Sequence, residues 1–198
     1  MPTGVAIRAP REQLFDAAER VLLRAGPAAL TSRAVTAEAG CAKGVLHRHF
    51  ADFDAFLAEL VLDRIGRIGT QAAALRESAG TGTVAGHLTA ALTEVFGPVA
   101  RAILGLVAAR DNLRARLREA TPAGVPVLTE ASAMIAAYLT AERDLGRIAA
   151  NADPDTLALT LIGTGHLLFA GRDGPPPEPA AVRKIVTTLL AGVLPQES

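Results

Sequence analysis

The sequence of 198 residues is poor in aromatic side chains, in cysteine and in net charge. Tryptophan is absent, tyrosine occurs once, and aromatic residues make up 4% of the chain. The single cysteine, Cys41, excludes an internal disulfide and is typical of a reducing compartment. Basic and acidic residues number 20 each. Because these charges balance, any attraction to nucleic acid or to a membrane has to come from a local patch.

Long apolar runs are missing as well. Residues 1–10 hold no apolar core of a secretory signal. The longest uncharged stretch, Thr156–Gly171, is shorter than a membrane-spanning helix of ~18 residues and contains His166. Apolar residues nevertheless make up 50% of the chain, which excludes an intrinsically disordered protein. The composition predicts a soluble, cytoplasmic protein with a sizeable core and no membrane partner.

The chain does have helical periodicity. Apolar residues repeat at intervals of three and four, as from Leu14 to Ala25, and no stretch alternates with a period of two. Gly26-Pro27 ends this first helix. Further helices are predicted at 31–39, 43–49, 53–77, 84–96, 99–109, 112–120, 127–141, 154–171 and 179–194. The pattern predicts an all-α protein with a small N-terminal domain, residues 1–51, and a larger helical bundle, residues 52–198.

Polar residues stand where several of these helices begin. Thr31 or Ser32 can cap the second helix, and Asp52 can cap the fourth. Asp153 stands before Pro154, with the acid at the cap and proline in the first turn of the next helix.

The segment Ala29–Phe56 combines two short helices with a turn opened by glycine, which is the arrangement of a helix-turn-helix. At about 100° per residue, Leu46 and Phe50 point the same way and can pack on the first of the two helices. The opposite face is small or bears donors and holds Gly44, Val45 and Arg48, with His47 and His49 on its flanks. A helix in the major groove needs this division, because one side holds it on the domain and the other approaches the DNA.

A local excess of positive charge accompanies this helix-turn-helix. From Arg33 to Phe50 the cations Arg33, Lys43 and Arg48 stand against the single acid Glu38. Lys43 lies at the N-terminal end of the second short helix, where recognition helices tend to reach bases.

At these residues the sequence closely resembles the tetracycline-repressor (TetR/AcrR) family of bacterial transcriptional regulators. The family's first helix carries R-E-x-[IL]-x-x-A-A, and Arg11–Ala18 reads R-E-Q-L-F-D-A-A. A glycine follows, here Gly26, and then a threonine-started helix and a run A-G-V-S-x-G-x-L-Y-x-H-F. Ala39–Phe50 reads A-G-C-A-K-G-V-L-H-R-H-F. The motifs cover about the first 57 residues, and over the remainder only the helical layout and the length agree.

The resemblance implies a homodimeric regulator, usually a repressor, without a cofactor or a metal. Its helix-turn-helix would bind a palindromic, double-stranded operator DNA, and its C-terminal domain would bind a small-molecule effector and dimerise. The implied DNA-binding residues are Thr31, Arg33, Ala42, Lys43, Gly44, Val45, His47, Arg48 and His49. Among them, Thr31 and Arg33 would contact phosphates, as would His47 and His49 from the flanks. Lys43, Val45 and Arg48 would face bases or the nearby backbone.

Three positions depart from the family pattern. His47 stands where tyrosine is usual, so that an imidazole replaces a phenol. Ala42 stands where a capping serine is usual, which weakens the start of the recognition helix. Phe53 stands where a phosphate-binding lysine is usual, so that one backbone contact is expected to be missing.

A ligand pocket is expected between the fourth helix and the helices that carry the few large or adaptable side chains of the bundle. The predicted ligand-binding residues are His87, Phe96, Leu104, Arg110, Met134 and Tyr138. His87 and Tyr138 would be polar handles, and Arg110 would be added for an anionic ligand. For each residue the alternative is ordinary core packing or, for Arg110 with Arg114 and Arg118, a solvated helix face.

Two further expectations concern assembly and control. The last two helices are the most apolar, and they predict a dimer interface with Leu161, Gly165, Leu168, Val182, Ile185 and Leu189 near a two-fold axis. The fourth helix is expected to be the only covalent link between the helix-turn-helix domain and the bundle. A ligand bound in the bundle would therefore act on DNA binding through this helix.

Other readings of the chain remain open at this point. Cys41, His47 and His49 contain metal-ligand types, but histidines two apart diverge by roughly 200° on a helix. The run Gly80–Gly86 resembles a phosphate-binding loop, but no strand precedes it and no Lys-Ser/Thr pair follows. No catalytic constellation is evident. The alternatives to a regulator are an all-α enzyme or small-molecule-binding protein whose helix-turn-helix is not used for DNA, and a helical adaptor.

Overall fold

The computed structural model describes residues 9–120, 125, 127–169 and 176–194. These residues form ten α-helices and one short 3-10 helix, Pro27–Ala29, and no strand. The α-helices are α1 (Pro10–Ala25), α2 (Ser32–Glu38), α3 (Gly44–His49), α4 (Phe53–Glu77), α5 (Val84–Val95), α6 (Pro98–Ala109), α7 (Asp111–Ala120), α8 (Leu128–Asp144), α9 (Pro154–Phe169) and α10 (Pro179–Leu190). The predicted all-α class is confirmed, although the predicted helix end at Gly171 lies outside the described residues. Within them no single helix is long and apolar enough to cross a membrane, a test that α5 and α6 pass only as a bent pair.

The chain forms two compact units. The first contains the described parts of residues 1–62 and 102–122, and the second contains those of residues 63–101 and 123–198. The first unit is therefore larger than the predicted domain 1–51 and is not continuous in the sequence. The chain crosses from one unit to the other between residues 62 and 63, inside α4, and again between residues 101 and 102, inside α6. The expectation of a single covalent link was therefore wrong.

The turn of the helix-turn-helix is fixed by backbone hydrogen bonds around a glycine. Gly40 has φ +65°, a left-handed conformation that favours glycine. Its N–H donates to the carbonyl of Ala37 at 3.1 Å, and the N–H of Cys41 donates to the carbonyl of Thr36 at 3.0 Å. This pair of bonds is a Schellman motif, which ends α2 and sets the direction in which the chain enters α3.

Aromatic rings from three elements form the core of the first unit. Phe15 of α1, Phe50 after α3 and Phe56 of α4 lie with their ring centroids 5.0 to 5.8 Å apart. Phe50 is 3% exposed, and Leu46 of α3 is fully buried. The predicted structural roles of Leu46 and Phe50 are confirmed, and each such side chain contributes about 1.5–3 kcal/mol when fully buried.

The second unit packs α8 against α9, and α10 against α5 and α9. The approach is close at Gly165, where an added Cβ would lie 2.6 Å from the ring of Phe96. Phe96 also stacks on Phe169, with ring centroids 5.3 Å apart.

Burial removes three of the six residues that were predicted near a two-fold axis, while Leu168, Ile185 and Leu189 are half-buried. Leu161, Gly165 and Val182 are buried inside the chain, so they pack within the subunit and cannot meet a partner. The exposed apolar side chains of α9 are Leu159 and Leu167, which are 67% and 79% exposed. The helical period identified the apolar residues of α9 but not which of them face the core.

Asp52 and Asp153 cap α4 and α9, as predicted. Asp52 Oδ1 accepts a hydrogen bond from the N–H of Ala55 at 2.6 Å. Asp153 accepts from the hydroxyl of Thr156 at 2.6 Å and from its N–H at 3.2 Å. These hydrogen bonds lower the pKa of both carboxyl groups, so each remains charged at the positive end of its helix.

The cap of α9 predicts a pH-dependent contribution to stability. Because the folded state lowers the pKa of Asp153, its contribution is present above the ordinary aspartate pKa of about 3.9 and is lost as the pH falls through the folded value. Asp153→Ala should lower the urea midpoint at neutral pH, and the difference from the wild type should shrink in acid. Asp155→Ala, which removes an exposed acid two residues further on, is the control. An equal loss in both variants would contradict the capping role.

Candidate nucleic-acid interface and ligand cavity

The predicted DNA-binding residues lie on α3 and at the start of α2, two helices that pack on each other. The exposed members are Thr31, Arg33, Ala42, Lys43, Gly44, His47 and Arg48, and the half-buried members are Val45 and His49. No atom from elsewhere in the chain comes within 4 Å of a Cβ placed on Gly44. The surface of α3 that faces away from the core is therefore open to a partner.

The cations of this surface are unengaged. Within the described part of the chain, the side chains of Arg33, Lys43 and Arg48 make no hydrogen bond or ion pair. Free guanidinium and ammonium groups are what contacts with phosphates and with guanine edges require.

The one acid in this segment is neutralised from α1. Arg20 Nε and Arg24 Nη2 each lie 2.8 Å from a carboxylate oxygen of Glu38. Hydrogen bonds from Arg20 and Arg24 lower the pKa of Glu38, so it stays ionised and paired. The three free cations are therefore not offset by this acid.

Thr31 has two functions in the same hydroxyl group. Its oxygen accepts a hydrogen bond from the N–H of Ala34 at 3.1 Å, which makes Thr31, and not Ser32, the cap of α2. The hydroxyl hydrogen is not used by this bond. An exposed Thr31 can therefore donate to a phosphate oxygen while it caps the helix.

Arg11 fixes the end of α3. Its Nη1 donates to the carbonyl of His49 at 3.2 Å, and its guanidinium carbon lies 4.6 Å from the centre of the Phe50 ring. Arg11 also pairs with Glu59 of α4. Arg11 was expected only as part of a family motif, and the structure shows that it joins α1, α3 and α4.

Two of the three departures from the family pattern have a structural consequence. Phe53 stacks on Phe56 with ring centroids 5.7 Å apart, and the guanidinium of Arg110 lies 5.7 Å from its ring. Phe53 therefore packs and offers no donor to a phosphate. No side chain caps α3, as expected with Ala42 before its first turn.

Two arginines from the other chain segment of the first unit hold the starts of α2 and α4. Arg110 Nη2 donates to the carbonyl of Leu30 at 2.9 Å, one residue before the Thr31 cap. Arg116 Nη2 bonds to Asp52 Oδ2 at 2.7 Å, on the carboxylate that caps α4. These contacts span 80 and 64 residues of sequence, so local pattern could not reveal them.

Arg110, Arg114 and Arg118 do not form a common anion site. Arg114 pairs with Asp111 and donates to the carbonyl of Ala108. Since Arg110 is also engaged within the chain, only Arg118 keeps the role of a solvated side chain.

In the second unit a cavity of about 300 Å³ lies between the C-terminal part of α4, α5 and α8. Its small and apolar lining residues are Ala74, Leu75, Ala90, Ala91 and Met134. Its polar lining residues are Thr70, Gln71, His87 and Glu94. The volume is at the lower end for sites that bind small molecules.

A buried hydrogen-bond chain begins at the wall of this cavity. His87 Nδ1 lies 2.9 Å from the hydroxyl of Tyr138, which donates to Glu142 Oε1 at 2.6 Å. Tyr138 and Glu142 are fully buried, and Arg147 Nε lies 3.3 Å from Glu142 Oε2. Burial, and then the hydrogen bond to Glu142, raise the pKa of Tyr138, so its phenol stays protonated. Because that proton points to Glu142, the Nδ1–H of His87 must be the donor to Tyr138.

The same ion pair holds the loop between α4 and α5. Arg147 donates to the carbonyls of Thr81 and Gly82 at 2.9 and 2.7 Å. The run that resembles a phosphate-binding loop is thus a linker fixed by an arginine. Sequence reasoning did not identify Glu142 or Arg147 as members of this network.

The six predicted ligand-binding residues are only partly together. His87 and Met134 line the cavity, and Tyr138 contacts His87 from the core. Phe96 packs against Phe169, while Leu104 and Arg110 belong to the first unit.

Neither a metal site nor a reactive thiol is supported at Cys41, His47 and His49. Among the described residues no group of three or more His, Cys, Asp or Glu side chains is arranged to hold a metal ion. Cys41 is half-buried, and burial raises the pKa of its thiol, which disfavours the reactive thiolate.

Known proteins share features with this chain at two levels, in the sequence of its N-terminal segment and in its fold. Residues 14–60 match the family described as bacterial regulatory proteins, tetR family. The fold is similar to that of reduced NemR from E. coli (TM-score 0.74, 16% identity, covering 95% of this chain and 100% of that one). It is also similar to a TetR-family transcriptional regulator from Mesorhizobium loti (0.66, 17%, 94% and 97%) and to the multidrug binding protein EbrR in complex with imidazole (0.57, 24%, 97% and 98%). The search of curated protein sequences gave no match.

An open helix-turn-helix with free cations is typical of a DNA-binding domain. The match over residues 14–60 assigns this segment to one family of bacterial regulatory proteins, the tetR family. The chain also shares the fold of a solved TetR-family structure.

The contacts of Arg110 predict a stability effect without any ligand or DNA. Arg110→Ala removes a charged donor from the carbonyl of Leu30 and should cost about 1–3 kcal/mol in the free energy of unfolding. Arg118→Ala, an exposed arginine of α7 without a partner in the described residues, should change it by less than about 0.5 kcal/mol. Urea unfolding monitored by circular dichroism measures both. Equal values for the two variants would show that the Leu30 contact does not hold α2.

Proposed function

We propose that the protein is a homodimeric repressor that binds a palindromic operator through α3 and dissociates when a small molecule occupies the cavity lined by α4, α5 and α8. The observation that supports it best is the set of free cations, Arg33, Lys43 and Arg48, on a protein without net charge. A surface that served only packing would pair such charges or lack them.

DNA recognition follows from the side of α3 that the core leaves open. Lys43 and Arg48 reach base edges or the neighbouring backbone, and Gly44 allows the helix to approach the groove closely. Thr31 and Arg33, at the start of α2, bind phosphates and set the orientation of the helix.

A palindromic operator requires two copies of the helix-turn-helix. A single α3 reads one half-site, and two half-sites lie about 34–36 Å apart along the DNA. The exposed face of α9 supplies a surface for the second copy, because Leu159, Gly163 and Leu167 follow one another at intervals of four. Large exposed apolar side chains in such a row are typical of an interface.

Control by a ligand uses the two helices that pass from one unit to the other. α4 lines the cavity from Thr70 to Leu75 and begins at the Asp52 cap in the first unit. A ligand that favours a conformation with the wrong spacing of the two recognition helices lowers operator affinity, with a coupling of typically ~1–3 kcal/mol. One structural neighbour is named as a multidrug binding protein, which supports a small-molecule effector.

Substitution of single cations should separate base reading from phosphate binding. A duplex is first selected from a random library with the wild-type protein. Lys43→Ala or Arg48→Ala should weaken binding to it by about 1–3 kcal/mol and relax the preference at individual positions. Arg33→Ala should weaken binding to the selected and the scrambled duplex by the same factor. Fluorescence anisotropy measures all the affinities.

The matched control is Arg76→Ala, which removes an exposed arginine of the second unit and should leave binding unchanged. If Arg33→Ala altered sequence preference, the roles of α2 and α3 would be reversed. If the wild type selected no duplex, the chain would be a helical ligand-binding protein that does not use its helix-turn-helix on DNA.

The proposed dimer is tested by placing a charge on α9. Leu167→Glu puts a carboxylate into the apolar row and should convert a wild-type dimer into a monomer in sedimentation velocity at micromolar concentration. Leu23→Glu alters an exposed leucine of α1 instead and should stay dimeric. A wild-type monomer, or a dimer that survives Leu167→Glu, would exclude this interface.

A further inference from the structure

The cavity lined by α4, α5 and α8 carries one formal charge, and that charge is negative. Glu94 is the only acid among its lining residues, and no lysine or arginine lines it. The part of the wall contributed by Leu75, Ala90 and Met134 offers apolar surface and a polarisable sulfur.

Two of the hydrogen-bond donors of the wall are already used. Gln71 Nε2 donates to Glu94 Oε1 at 2.6 Å, and this orientation of the amide is fixed because a carboxylate only accepts. The Nδ1–H of His87 donates to the hydroxyl of Tyr138. Within the described residues the second carboxylate oxygen of Glu94 and the amide oxygen of Gln71 have no partner. The hydroxyl of Thr70 and the second N–H of Gln71 remain as donors, but the one charged group of the lining, Glu94, is an acceptor.

The volume limits the size of the occupant. About 300 Å³ corresponds to roughly ten water molecules at ~30 Å³ each. A compact apolar body with a single polar head fits this space, whereas a large stacked ring system does not.

We propose that this cavity selects small ammonium compounds with an apolar body, and that Glu94 recognises their charge. The inference rests on the proposed function and specifies the class of effector. An N–H donor of the ligand binds the second carboxylate oxygen of Glu94, beside the hydrogen bond that Gln71 of α4 makes to the first. The occupied carboxylate is therefore hydrogen-bonded to α4, and α4 is one of the two helices that continue into the first unit.

Three probes with one phenylbutyl body test the charge preference. They are 4-phenylbutylamine, 4-phenylbutanol and 4-phenylbutyrate, measured by isothermal titration calorimetry at neutral pH and low salt. The amine should bind about two- to fivefold more tightly than the alcohol, because an ion pair with an exposed carboxylate such as that of Glu94 gives a gain of this size. The carboxylate should bind most weakly of the three.

Glu94→Gln keeps the shape of the side chain and removes its charge, so it should abolish the preference for the amine and leave the affinity for the alcohol within about twofold. Glu77→Gln, which removes an acid of α4 that does not line this cavity, should keep the preference. The intact binding of the alcohol shows that the Glu94→Gln variant is folded.

Three results would overturn the inference: an amine preference that survives Glu94→Gln, a tighter binding of the carboxylate, or no binding of any probe at millimolar concentration. Binding to the selected duplex is measured on the same samples. A chain that binds DNA without an amine preference remains a regulator with another effector class. If the protein prefers the amine but binds no duplex, the proposed function is refuted, and the inference about the ligand class of the cavity stands.

Discussion

The recognition helix exists only because the core of the first unit holds it. α3 has six residues, and isolated helices shorter than about 12–15 residues are marginal in water. Leu46 and Phe50 supply the missing stability by burying one side of the helix against the rings of Phe15 and Phe56. Since this anchorage uses one face completely, the other face can carry small and charged residues without a loss of packing.

The charged side chains near α3 are also divided between paired and unpaired groups. The acid next to the recognition helix, Glu38, is paired with two arginines of α1, so Lys43 and Arg48 keep a positive surface on a neutral chain. In the second unit the cavity wall has the opposite sign, because Glu94 is its only charge. The two surfaces therefore differ in chemistry, and α4 and α6 each have residues in both units.

The sequence could predict what is local. Helices, the caps Thr31, Asp52 and Asp153, and the buried face of α3 follow from spacing over a few residues, and the structure confirms them. Contacts between distant residues could not be predicted: Arg110 reaches Leu30 across 80 residues. The same limit explains the divided set of ligand residues and the burial of Leu161, Gly165 and Val182 within the subunit, since periodicity gives an apolar face but not its partner.

The salt dependence of binding to the selected duplex tests most directly whether the open side of α3 and the start of α2 form a DNA-binding surface. Each phosphate that a cation neutralises releases counterions, which lowers the logarithm of the association constant by about 0.9 per tenfold increase in salt. The wild-type protein should give a steep, straight plot with a slope of several units, because its helix-turn-helix presents three cations that have no partner within the described residues. A flat plot, with affinity independent of salt, would contradict DNA binding by this surface.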